Sequence, residues 1–176
     1  ILEKKISKTK SITSKYSKII NMENILLFGK EYIVVPTTKV TKPCFTDEYF
    51  LLPKKYYDAG KTAYHIKKVT KDIAERVIVK RFKDIVQCYK CIDVSKVIIG
   101  NYRAKWGSCD KFGVIKLNFR LAMVDAKLID FVIYHELTHL KELNHSPRFY
   151  RELEKLCPDW KESRERLKTF SFLLEL

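Results

Sequence analysis

VIYHELTHLKELNH, residues 132–145, holds three of the four histidines in the chain. His135 and His139 stand four residues apart, so on a helix their side chains lie one turn apart on the same face and can reach a single ion. Glu136 lies about 100° further round the helix, beside such an ion rather than on it. That is the position of a general base acting on a water at the metal, so HELTH is a candidate catalytic metal site.

A catalytic zinc site uses three protein ligands and leaves a fourth position open, so a third ligand is needed. His145 is the first candidate, but on an unbroken helix it would lie about 9 Å along the axis from His139. Asn144 enters the left-handed conformation easily, and Ser146-Pro147 is a strong helix start. We therefore predict a break at Asn144 that lets His145 join the other two histidines on one Zn²⁺ ion. If the helix ran straight through, Glu152 would be the next candidate.

Helix signals surround this motif. Asp125 is a candidate N-cap for the motif helix. Its apolar positions extend the predicted helix to about Leu143, and they are Leu128, Ile129, Val132, Ile133, Leu137 and Leu140. Ser146 begins a second helix that should end before Pro158, and a last helix is predicted from about residue 159 to residue 170.

The upstream sequence predicts a single domain over residues 23–176, preceded by a basic, weakly ordered arm over residues 1–22. Residues 23–58 contain the β-like runs ILLFG, EYIVVP and EYFLLP. Residues 59–92 form a basic linking helix whose predicted apolar face carries Ala63, Ile66, Val69, Ile73 and Val77. Residues 95–170 are the predicted catalytic core, in which KVIIGNYRAKW and VIKLN form a β-hairpin closed by the turn-rich GSCDKFG.

The charge balance predicts attraction to polyanions. The chain has 35 Lys and Arg against 21 Asp and Glu, a net charge of +14, and it is 46% hydrophobic, which excludes wholesale disorder. Residues 54–90 alone contain eleven basic and four acidic residues, a local charge of +7. A nucleic acid or an acidic protein could bind this helix, around Lys67, Lys68 and Lys71; the alternative is an ordinary solvated helix face.

The cysteines indicate a reducing compartment, and we expect the protein in the cytoplasm. Five cysteines cannot all pair with one another, and a chain of 176 residues does not need disulfides to fold. Cys88 and Cys91 form a lone C-x-x-C with no second pair, so a zinc ribbon is not expected. No apolar run approaches the roughly 20 residues of a membrane-spanning helix, so no membrane partner is expected.

Several separate motifs then point to one family. RAKWGSCD, GVIKLNFRL, IDFVIYHELTHLKELNHSPRFY and CPDW occur in that order between about residues 97 and 167. This set resembles the YgjP-like zinc metallopeptidases and, more distantly, the SprT-like proteases, which act on proteins crosslinked to DNA. The resemblance implies an α+β fold with a zincin-like core, an antiparallel sheet or hairpin beside the HExxH helix, His135, His139 and His145 as zinc ligands, and Glu136 as the catalytic base. Lys105 departs from the family pattern, which usually has Arg before Trp.

In zincin-like enzymes a substrate chain lies extended along a sheet edge, so residues 114–118 could be the strand that pairs with it. The alternative is an ordinary core hairpin with Trp106 and Phe112 packed inside. Arg103 and Asn118 are candidates for polarising a scissile carbonyl. Asp130, one turn before the ligands, could orient an imidazole from behind, or could be a surface or capping carboxylate.

The sequence therefore predicts a zinc metallopeptidase that hydrolyses peptide bonds in a peptide or protein substrate. The alternative is a nucleic-acid-binding protein with a structural zinc site, which a fourth ligand such as Cys109 would favour. The two could also combine as a protease recruited to DNA. Imidazole sites accept cobalt, nickel or iron as well as zinc.

Overall fold

A computed structural model describes residue 14 and residues 16–89 and 94–175 of the chain. The described part begins with a short helix, α1 (Ser17–Ile20), and continues into a four-stranded sheet made of β1 (Asn24–Leu27), β2 (Lys30–Thr37), β3 (Cys44–Phe45) and β4 (Tyr49–Pro53). The strand order is β1-β2-β4-β3, with β2 and β4 parallel and the other pairs antiparallel. The three predicted β-like runs are thus confirmed as strands of one sheet.

The β1–β2 turn fixes the register of this sheet and joins it to the rest of the domain. Phe28 and Gly29 both have positive φ, 51° and 80°, which is the pattern of a two-residue type I′ hairpin turn. A Cβ atom at Gly29 would lie 3.0 Å from the Cβ of Asp125, so only glycine allows this close approach. The amide of Phe28 also donates a hydrogen bond to the carbonyl oxygen of Ala122, at 2.7 Å.

After α2 (Lys54–Asp58), the predicted linking helix is present as α3 (Thr62–Cys88). Its buried stripe differs from the predicted one: Val77 is 40% exposed. The side chains that α3 buries are Ile66, Thr70, Ala74, Ile78 and Phe82. These residues recur every four positions, because the core lies against one narrow face of a long helix and two of the positions need only a small side chain. The lysines face solvent on the opposite side.

The second sheet has the order β5-β7-β6, from β5 (Lys96–Gly100), β6 (Gly107–Cys109) and β7 (Val114–Asn118). The predicted hairpin is wrong in its pairing: β7 pairs antiparallel with β6, which lies in the stretch predicted as a turn, and parallel with β5. Residues 101–106 cross between the two outer strands, and this crossover allows the parallel pairing. Trp106 packs against the core, whereas Phe112 is 70% exposed at the tip of the hairpin.

The 3₁₀ helix η1 (Phe119–Met123) leads into three helices, α4 (Ala126–Thr138), α5 (Pro147–Leu156) and α6 (Trp160–Thr169), followed by η2 (Ser171–Glu175). The predicted caps are confirmed. The side chain of Asp125 accepts a hydrogen bond from the amide of Leu128, and the side chain of Ser146 accepts one from the amide of Phe149. These bonds satisfy amides that the first turn of each helix leaves without partners.

The main core lies where α3 and the second sheet meet η1 and helices α4 to α6. Buried Ile129, Val132, Ile133 and Leu137 place one face of α4 in this core, and His135 and His139 lie beside that face at the C-terminal end of the helix. A smaller cluster of Ile25, Phe50, Leu52 and Ile66 joins the first sheet to α3. No helix within the described residues has both the length and the hydrophobicity needed to span a bilayer.

Most of the predicted N-terminal arm, residues 1–13 and residue 15, lies outside the described residues, as does Cys91 of the C-x-x-C pair. Within the rest of the arm, Ile19 is 1% exposed in the main core and Tyr16 stacks on Phe172 with the ring centroids 4.7 Å apart. Residues 16–19 therefore pack onto the domain. The proposed division into residues 23–58, 59–92 and 95–170 stays a prediction.

Candidate metal centre

The structure brings His135, His139 and His145 together at the end of α4. One ring nitrogen from each lies within 4.8 Å of the other two, and the Nε2 atoms of His135 and His145 are 2.9 Å apart. Two nitrogens that bind one tetrahedral ion with bonds of about 2.1 Å lie about 3.4 Å from each other. The cluster is therefore close to the spacing that one shared ion requires.

The chain leaves the helix earlier than predicted. α4 ends at Thr138 rather than near Leu143, and the amides of Lys141 and Glu142 both donate to the carbonyl oxygen of Thr138. Positive φ among the described non-glycine residues is confined to Met22 and Phe28, so the predicted left-handed Asn144 is wrong. Asn144 instead turns the chain with its side chain, whose Oδ1 accepts a hydrogen bond from the amide of Ser146 at 3.2 Å.

Backbone and aromatic contacts orient the imidazoles. Nδ1 of His139 lies 2.9 Å from the carbonyl oxygen of Glu142, so with the proton on Nδ1 it donates to that oxygen and leaves Nε2 free for an ion. The ring of buried Phe149, in the first turn of α5, lies 4.6–4.9 Å from all three imidazoles. These contacts hold the three rings toward one another.

The protonation states suit metal binding. Burial, with further contributions from the nearby His139, His145 and Arg164, lowers the pKa of His135 to about 3. Burial is also the largest cause of the lowered pKa of His145. Neutral imidazole is the form that binds metals, so these two side chains are ready to bind at neutral pH.

Glu136 is a buried acidic residue beside the histidine cluster. Its side chain is buried, the residue is 5% exposed, and its Oε2 atom makes no hydrogen bond with the described residues. Burial raises the pKa of this carboxyl to about 8, although the charge of Lys105 opposes the shift. A buried carboxylate without a partner is costly, so it needs a cation or a polar ligand beside it.

Gly107 on β6 makes room for this carboxylate. A Cβ atom at Gly107 would lie 2.6 Å from Oε1 and 2.8 Å from Cγ of Glu136. The glycine therefore holds no special backbone angle; it lets the strand lie directly against the general-base candidate. Local sequence signals do not predict this contact between α4 and β6.

The donor set fits a divalent metal ion. Three imidazoles converge, and the buried carboxylate beside them would gain the positive charge that it lacks. Within the described residues no fourth Cys, His, Asp or Glu joins the group. Cys109 lies near Glu136, and burial, followed by the charges of Glu136 and Asp110, raises its pKa to about 11. Glu152, the reserve candidate, forms ion pairs with Lys155 and Lys141.

Comparison with protein-family models agrees with this chemistry. A family model for the YgjP-like metallopeptidase domain matches residues 1–170. The chain belongs to the YgjP-like metallopeptidase family. A solved structure, that of the metallopeptidase zymogen abylysin from Pyrococcus abyssi, is 29% identical and covers 52% of this chain and 90% of its own, with a TM-score of 0.42. Comparison with curated proteins finds no match.

Membership in the YgjP-like family makes the chain a metal-dependent peptidase that acts on peptide or protein substrates. The α+β fold expected from the resemblance is confirmed, with the antiparallel β6–β7 pair beside the HExxH helix. The strand predicted to pair with substrate, β7, is the central strand of its sheet and has partners on both sides. That prediction is wrong, because β6, and not β7, is the sheet edge next to α4.

The remaining predicted site residues of this YgjP-like chain interact with groups other than the imidazoles in the described structure. The Nδ2 group of buried Asn118 donates to the carbonyl oxygens of Tyr102 and Lys105, at 2.6 and 2.9 Å, so it fixes the crossover loop. Arg103 is exposed on that loop; burial, followed by the nearby charge of Arg103, lowers the pKa of Arg120. Asp130 pairs with Arg81 through two hydrogen bonds, one of them 2.6 Å long, and so ties α4 to α3.

Two clefts flank His135. One, of about 260 Å³, has His145, Tyr150 and Trp160 in its wall, and the other, of about 210 Å³, has Trp106, Gly107 and Glu136. Arg164 of α6 lines both clefts. Sequence reasoning missed this residue, because it lies 19 positions after His145 in a helix whose charged residues look like an ordinary solvated face.

Proposed function

We propose that the chain is a zinc metallopeptidase in which His135, His139 and His145 hold one Zn²⁺ ion and Glu136 is the general base. The observation that carries this proposal is the buried carboxylate of Glu136, unpaired within the described structure, beside three converging imidazoles. A structural zinc site is usually closed by four protein ligands, whereas a hydrolytic site keeps one position open. The three-histidine group supports the second arrangement.

A bound divalent ion would supply positive charge that acidifies water and polarises a carbonyl group. The carboxylate of Glu136 accepts one proton from the attacking water as the water oxygen bonds to the carbonyl carbon. It then returns this proton to the amine nitrogen as the C–N bond breaks, so the carboxylate is regenerated. The raised pKa of Glu136 makes it a stronger base than an exposed glutamate. A nearby cation would lower this pKa again, toward the neutral range in which a base both accepts and releases protons.

The substrate chain would lie along β6. This strand is the edge of the second sheet, and its first residue, Gly107, is in contact range of Glu136. An extended peptide paired with an edge strand gains backbone hydrogen bonds whatever its side chains are. Its scissile carbonyl would then pass beside the histidine cluster, which is the geometry that hydrolysis requires.

Metal analysis joined to peptide hydrolysis tests the proposal. We expect one zinc ion per chain, hydrolysis of a fluorogenic peptide library, loss of hydrolysis after chelation, and its return when zinc is added. Single alanine variants of the three clustered histidines should lose both zinc and activity. His65→Ala is the matched control, because His65 stacks on Tyr56 at 3.8 Å and lies outside the cluster. Full hydrolysis in the metal-free protein would contradict the proposal.

A polyanion partner is a second, compatible proposal. It rests on the net charge of +14 and on α3, whose Lys67, Lys68 and Lys71 are exposed. Neutralising these three lysines should weaken binding to duplex DNA and reduce its dependence on salt. Unchanged DNA binding would indicate that these lysines form an ordinary solvated helix face. We also propose the cytoplasm as the site of action, which the free thiols of Cys44, Cys88, Cys109 and Cys157 support.

A further inference from the structure

Arg164 occupies a distinctive place beside the metal centre. It is exposed on α6, yet it lines both of the clefts that flank His135, so its side chain reaches from the Glu136 side to the His145 side. The larger cleft has Phe131, Leu153 and Trp160 in its wall and contains no acidic side chain. Arg164 is therefore its one permanently charged lining residue in the described structure.

The guanidinium of Arg164 has no partner among the residues that the structure describes. Within the described residues it forms no ion pair or hydrogen bond, whereas neighbours on the same helix do. Arg166 pairs with Asp125 at 2.7 Å, and Lys168 pairs with Glu165 at 2.5 Å. Arginine presents its donors as a planar fork that matches the two oxygens of a carboxylate. The guanidinium of Arg164, in a cleft lined by Phe131, Tyr150 and Trp160, therefore has the donor geometry that a carboxylate requires.

We propose that Arg164 makes the cleft beside His135 and His145 a substrate subsite for a carboxylate. This inference rests on the proposed peptidase function and deepens it by naming a substrate class. A peptide carries carboxylates in two places, on Asp and Glu side chains and at its C-terminus. Either source would place a negative charge close to the bond that is cut, and would give the enzyme a preference for acidic sequences or for chain ends.

The general surface charge cannot replace this local contact. A net charge of +14 attracts every acidic peptide and is screened by salt, whereas a bidentate pair in a half-enclosed cleft selects one position of the substrate. Arg151, exposed on α5 and absent from the walls of both clefts, carries the same charge and is the matched control. Its removal changes the total charge by the same amount and leaves the cleft intact.

The test measures binding rather than turnover. Zinc-loaded Glu136→Gln protein, in which the proposed base is absent, is titrated by calorimetry with matched short peptides. One pair differs by an internal Glu or Gln and the other by a C-terminal acid or amide. We expect the acid of one pair to bind about tenfold to a hundredfold more tightly. The pair that shows this preference identifies the source of the carboxylate.

Substitutions at Arg164 and Arg151 then show which arginine causes the preference for the acid peptide. Adding Arg164→Ala to the Glu136→Gln protein should abolish it, Arg164→Lys should restore part of it, and Arg151→Ala should leave it intact. Three results would overturn the subsite. The preference for the acid peptide could survive Arg164→Ala, it could disappear equally with Arg151→Ala, or it could be absent in both peptide pairs. Hydrolysis of the same peptides by the unsubstituted protein is followed in parallel. Arg164-dependent binding without hydrolysis would contradict the peptidase proposal alone, and hydrolysis with Arg164-independent binding would contradict the subsite alone.

Discussion

Gly107→Ala should strongly impair the enzyme, although it replaces neither a metal ligand nor the general base. The new Cβ atom would lie 2.6 Å from Oε1 of Glu136, and the shortest ordinary contact for such an atom is 3.4 Å. The carboxylate must therefore retreat by about 0.8 Å, and its Cγ and Cδ atoms, at 2.8 and 2.9 Å, must move with it. A displacement near 1 Å of a reacting group costs about a hundredfold in rate. We expect kcat/KM to fall by about that factor, which corresponds to about 2.7 kcal/mol.

The assay combines hydrolysis of a fluorogenic peptide, zinc content and thermal unfolding. Zinc content should stay at the unsubstituted level, because the three atoms nearest the new methyl group all belong to Glu136 and not to a histidine. Gly60→Ala is the matched control: its Cβ meets no atom within 4 Å, and its φ of +66° costs only backbone strain, about 1 kcal/mol. An unchanged kcat/KM in Gly107→Ala, or a loss explained by unfolding or by lost zinc, would refute the reasoning.

Three further predictions follow from contacts near the site. Asp130→Ala should lower the free energy of unfolding by about 1 kcal/mol and leave metal affinity unchanged, because Asp130 pairs with Arg81 rather than with an imidazole. A tenfold loss of metal affinity would instead mark Asp130 as an orienting residue. Ser146→Ala should cost about 1 kcal/mol in thermal unfolding and weaken zinc binding, because Ser146 caps α5 and directly follows the third histidine in the chain. Stability loss with unchanged zinc affinity would contradict that link. At pH 8 iodoacetamide should alkylate exposed Cys44 well before Cys109, whose pKa of about 11 leaves little thiolate until the pH rises toward that value; equal rates by mass spectrometry would refute this.

Local signals predicted the histidine-bearing part of the fold well. Asp125 and Ser146 cap their helices as expected, since capping depends on residues within the first turn. The end of α4 at Thr138 was not predicted, because apolar residues at 140 and 143 continue the helical period. Leu143 is 66% exposed, so the apolar periodicity at this position does not reflect a buried helix face. The turn depends instead on the side chain of Asn144, which caps the next residues without leaving ordinary backbone angles.

Contacts between distant segments were outside the reach of sequence patterns. The parallel pairing of β5 with β7 places a crossover between them, whereas the alternating residues fit an antiparallel hairpin equally well. Asn118 looked like a polar residue beside the active site, yet both of its amide hydrogen bonds hold the crossover loop. Gly107 and Arg164 join the site from β6 and α6, and only tertiary packing brings them to α4.

The measurement that tests the central claim most directly is the turnover of zinc-replete Glu136→Gln. This substitution keeps the shape of the side chain and removes its capacity to accept a proton. We expect the variant to bind one zinc ion, as the unsubstituted protein does, and to lose about a hundredfold to ten-thousandfold in kcat, the contribution of a positioned general base. Turnover at the unsubstituted rate with zinc in place would contradict the assignment of Glu136 as the base and the mechanism built on it.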